Sequence, residues 1–60
     1  MTEIGSAGSK SNKITVSLSE DCKRIWLFDE DGELVSILHR QEAFDLMDVL
    51  QEACKKVKDI

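Results

Sequence analysis

Sixty residues carrying twelve acidic and eight basic side chains make a short chain of formal net charge -4. That length permits one domain with a small core, which needs support from a disulfide, a metal or oligomerisation. The acidic balance disfavours nucleic acid and anionic membrane surfaces as targets, because phosphate contacts need clustered Lys and Arg. No apolar run approaches the roughly 18 residues of a membrane span. Residues 1–12 lack the apolar centre of a signal peptide. With only Cys22 and Cys54, a reduced, cytoplasmic setting is expected.

Residues 1–12, MTEIGSAGSKSN, hold two glycines, three serines and one isolated Ile. They show no periodicity and read as a disordered tail, with residues 13–60 as a single small domain. Residues 13–19, KITVSLS, alternate strictly. Ile14, Val16 and Leu18 share one face of a half-buried strand. A short polar connection follows, compatible with an antiparallel return. Residues 24–29 form a second strand, with Ile25 and Leu27 on one face and Trp26 and Phe28 on the other. Asp31-Gly32 then marks a hairpin turn, since Gly32 adopts a positive φ without steric cost. Residues 34–38 form a third strand, in which Val35 and Ile37 share a face opposite Leu34, Ser36 and Leu38.

A helix is predicted from near Arg40 to about Lys58. Ala43, Leu46, Met47, Leu50, Ala53, Cys54 and Val57 recur near the 3.6-residue period, and Phe44 and Val49 widen the stripe. Acidic residues come early and lysines late, as the helix field prefers. Glu52 and Lys56 are spaced for an i,i+4 pair. No Ser, Thr, Asp or Asn cap precedes Arg40. The expected fold class is α+β: a three-stranded antiparallel β-meander followed by one C-terminal amphipathic helix (β-β-β-α), dimeric.

The candidate chemistry is sparse. Asp29, Asp31 and Glu33 alternate around the turn like the start of a calcium loop, but Leu34 stands where such a loop needs glycine. The lone His39 has no identifiable nucleophile or orienting carboxylate. The cysteines lack the close pairing of a structural zinc site. Cys54, on the helix stripe, reads as a small buried apolar residue. No Gly-rich phosphate loop follows a strand. No enzymatic activity, cofactor or metal is expected.

What remains is apolar surplus. One helix covers one sheet face, yet Ile25-Trp26-Leu27-Phe28 puts large side chains on both. An exposed apolar patch of that kind marks an interaction surface. The chain therefore reads as an acidic protein-interaction module that self-associates and binds or modulates a protein partner. Trp26, Phe28, Leu34, Phe44 and Val49 are the expected interface. Asp29, Glu30, Asp31, Glu33, Asp45 and Asp48 would steer a basic partner. In size and charge alone it resembles small phage-encoded modulators and accessory regulatory subunits. One alternative is a single-stranded nucleic-acid binder that stacks bases on Trp26 and Phe28. Another is a structural subunit of a larger assembly.

Overall fold

The computed structural model describes residues 1–58. The elements run β1 (Thr2–Ala7), β2 (Ile14–Leu18), β3 (Ile25–Phe28), β4 (Leu34–Leu38) and α1 (Arg40–Lys56). The strands form one sheet in the order β1-β2-β3-β4, every neighbouring pair antiparallel. This is the expected α+β meander and helix with one correction: there are four strands, not three. The added strand lies inside the segment that reads as a tail. Its signal is hidden by a bulge, because the register with β2 shifts between Glu3 and Gly5 and Ile4 drops out of the alternation. An edge strand also needs little apolar content, since it gains its backbone bonds from its neighbour. The edges are therefore β1 and β4, and β2 is internal.

The two later hairpin loops share one chemistry. In the loop after β3, Asp29 Oδ1 accepts the amides of Asp31 and Glu33, each at 2.9 Å. The Gly32 amide donates to the Asp29 carbonyl at 3.1 Å, with Gly32 at φ 79. In the loop after β2, Ser19 Oγ donates to Asp21 Oδ1 at 2.6 Å and accepts the Arg24 amide at 3.0 Å. The Cys22 amide donates to the Ser19 carbonyl at 2.9 Å. Cys22 sits at φ 61, so a side-chain residue occupies the left-handed position that glycine holds in the other loop. In the first loop, Gly8 has φ 96, and any Cβ there would strike the Asn12 carbonyl.

The helix begins at Arg40 without a hydroxyl or carboxylamide cap. Instead Glu42 reaches back and accepts the His39 amide at 2.8 Å, one half of a capping box. His39 is thus the residue before the helix, with extended backbone. The helix ends at Lys56, two residues short of the expected Lys58, with Val57 extended. Glu52 lies 3.9 Å from both Lys55 and Lys56, so the expected i,i+4 pair forms. Such exposed pairs contribute only about 0.2–0.5 kcal/mol each.

Packing is the unusual property. Among the described residues no apolar side chain is buried, and the one buried residue is Ser17, 6% exposed. Cys54, expected in a core, is exposed, as is Cys22. The chain presents 5158 Å² of accessible surface. A compact monomer of this mass would present on the order of 4,000 Å². The helix makes its closest backbone approach to β4, and none of its residues is buried.

Two stability outcomes follow from the loops. Cys22→Gly should raise the urea midpoint by about 1 kcal/mol equivalent, and Gly32→Ala should lower it by a similar amount. The Asp21 carboxyl is held below its ordinary 3.8, first by the Ser19 hydroxyl, then by the Lys23 amide and the Arg24 charge. A depressed carboxyl supports the fold above its unfolded value, and that support is lost as pH falls through the lowered one. Asp21→Asn should therefore be less stable than the native chain at neutral pH. Denaturation followed downward in pH should show the gap closing below 3.8.

Candidate interaction surfaces

Antiparallel pairing places directly opposed residues on the same side of a sheet. On one side Val16 opposes Leu27, and Leu18 opposes Ile25. On the other side Ser17 opposes Trp26, and Thr15 opposes Phe28. In β4, Ile37 opposes Trp26 and Leu34 opposes Phe28. The register shifts between Leu27 and Phe28, so β4 carries an extra residue there. This corrects one sequence expectation. Val35 and Ile37 do not share a face; the bulge puts Leu34 and Ile37 on the aromatic side and leaves Val35 beside Leu27.

The non-aromatic side faces α1. Ala7, Ile14, Val16, Leu27 and Val35 from the sheet, with Leu46 and Leu50 from the helix, line a groove of about 460 Å³. No lining side chain is polar. The groove is not closed: Ile14 is 38% exposed, Val35 57% and Leu50 54%. Met47, Val49 and Val57 extend this open apolar surface along the helix.

Among the described residues no element lies over the aromatic side. Trp26 and Phe28 stack with centroids 6.3 Å apart and planes at 22°. Both rings are half-buried, and Leu34 and Ile37 beside them are exposed. The indole Nε1 of Trp26 is buried and lacks a hydrogen-bond partner among the described residues. Trp26 also borders a shallow recess of about 570 Å³ with Met1, Ser19, Glu20, Asp21 and Arg24.

The expected interface is thereby divided. Trp26, Phe28 and Leu34 lie together on the aromatic side. Phe44 and Val49 belong to α1, which lies over the other side. Phe44 is exposed and carries the Arg40 guanidinium 5.6 Å from its ring centre, a cation–π contact. Ile14, Val16, Leu27, Val35, Leu46 and Leu50 each look like ordinary core in their own elements, so no local pattern marks them as interface. Their shared groove emerges only when the helix is seen to stand off the sheet.

The acidic residues also separate. Asp29 spends an oxygen on its own turn, and Asp45 accepts a 3.1 Å bond from the Gln41 amide. Glu30, Asp31, Glu33 and Asp48 are exposed and form no ion pair among the described residues. No helix among those residues is long and apolar enough to cross a membrane. In comparison with known proteins, the chain matches no family model, no curated protein and no solved structure.

Proposed function

We propose that this chain is a small homodimeric interaction module that binds or modulates a protein partner in the cytoplasm. The observation that carries this reading is the absence of any buried apolar side chain among the described residues, with apolar surface open on both sides of one sheet. Each large apolar side chain contributes roughly 1.5–3 kcal/mol when fully buried. A fold that leaves them all partly wet gains its stability from a second surface. Self-association uses one side of the sheet, and the partner takes the other. Trp26 is the anchor of that contact, since one rigid, half-buried indole buries a large area when covered. Glu30, Asp31 and Glu33 at the hairpin tip favour a basic partner and speed its approach.

A second reading rests on one observation, the Trp26–Phe28 stack on an uncovered sheet face with Arg24 beside Trp26. Such a platform accepts the bases of a single-stranded nucleic acid. The net charge of -4 opposes it, because backbone phosphates would meet few cations.

Light scattering on the purified chain should give twice its 6.8 kDa mass. Affinity capture should recover a stoichiometric protein with the native chain and lose it with Trp26→Ala, while the dimer mass persists. A monomer would sink the self-association. Undiminished capture by a folded Trp26→Ala variant would remove Trp26 from the contact. Oligonucleotide binding that weakens steeply with salt would install the nucleic-acid reading instead.

A further inference from the structure

Resting on the self-association proposed above, we infer that the dimer forms through the groove side, with the two α1 helices packed antiparallel and each helping to close the other chain's groove. Three observations converge on a second copy as the occupant.

The first is area. The chain exposes 5158 Å², an excess of about 1,200 Å² over a compact monomer of this mass. Obligate homodimers bury about 1,000–2,500 Å² per partner. Burial of the groove rim and the helix stripe by a copy of itself would bring the chain to an ordinary surface.

The second is self-complementarity. A two-fold contact requires one patch to fit itself. This side carries both halves of such a fit: an apolar recess under α1, and an apolar ridge of Met47 on α1 and Val57 just past its end, each more than half exposed. A single chain cannot place its own ridge in its own recess.

The third is charge, and it sets the direction. Glu42, Asp45 and Asp48 occupy the first half of α1, while Lys55 and Lys56 occupy its last turn. Parallel helices would align acid with acid and lysine with lysine. Antiparallel helices bring the acidic start of one beside the basic end of the other. Two charges are out of this order: Arg40, which is engaged over Phe44, and Glu52, which lies 3.9 Å from both Lys55 and Lys56. Within α1 the stripe runs from Ala43 to Cys54 and centres between Met47 and Leu50. An antiparallel pair about that centre sets Ala43 against Cys54 of the second copy.

Cysteine trapping tests the arrangement. Two variants are compared, Cys22→Ser alone and Cys22→Ser with Ala43→Cys, under mild copper-catalysed oxidation and peptide mass mapping. Positions 43 and 54 of one helix are about 16 Å apart along its axis, too far for an intrachain bridge. The expected result is a dimer mass for both variants, a covalent link between position 43 and Cys54 of different chains in the second, and little linkage in the first. Efficient Cys54–Cys54 linkage in the first variant would mean parallel helices and overturn the inference. A dimer mass with neither link would place self-association elsewhere, overturning this geometry and leaving the dimer intact. A monomer mass would overturn both.

Discussion

The organisation of this chain depends on one mismatch: a four-stranded sheet with apolar side chains on both sides, and a single helix to cover them. A sheet surrounded by water on both sides gains little from the side chains it presents. Its backbone bonds replace bonds to water and contribute little net. Conformational entropy still opposes ordering every residue. The usual remedy in a small domain is to clamp one face under a helix and make the other polar. Here α1 covers its face incompletely, and the other face holds a Trp and a Phe. The chain therefore keeps local order through its turns and leaves its apolar side chains partly exposed among the described residues.

That division explains where local chemistry is strongest. The loops after β2 and β3 are closed by side-chain oxygens of Ser19, Asp21 and Asp29 that take up backbone amides. Tight loops of this type set the register of a hairpin before any long-range packing exists. The register then decides which residues share a side. Ser17, the one buried position among the described residues, lies between Glu3 and Trp26 on neighbouring strands. It is shielded by its cross-strand neighbours, with no second layer of structure above it.

Much of this architecture was legible in the residues. Strict alternation in Ile14–Leu18, the Asp31-Gly32 turn and the helical stripe from Ala43 to Val57 are local signals, and each element appears where its signal places it, except that the helix stops at Lys56 and leaves Val57 extended. The strand Thr2–Ala7 was not legible. Its bulge at Ile4 breaks the two-residue period, and its Gly and Ser content mimics a linker. The bulge in β4 had a similar effect on the surface. One extra residue moved Val35 to the groove and put Leu34 and Ile37 beside the aromatic rings. Parity along a strand tells which residues lie together only until a bulge resets it. The division of the expected interface has another cause. Side-chain patterns show that Phe44 and Val49 widen the helix stripe, but not which side of the sheet the helix will take.

Separating the two surfaces gives the chain a way to combine assembly with recognition. If the groove side is consumed by a second copy, the Trp26–Phe28 faces survive and are presented twice, pointing away from the shared helical layer. The acidic charge doubles with them. Two weak apolar anchors on one rigid particle then act with the effective concentration of a linked pair. In the proposed function the carboxylates of Glu30, Asp31 and Glu33 would disfavour acidic partners through like-charge repulsion. The arrangement also accounts for a half-buried Trp on an uncovered sheet. Its indole nitrogen is buried and has no partner among the described residues, so a contact there would use the apolar face of the ring.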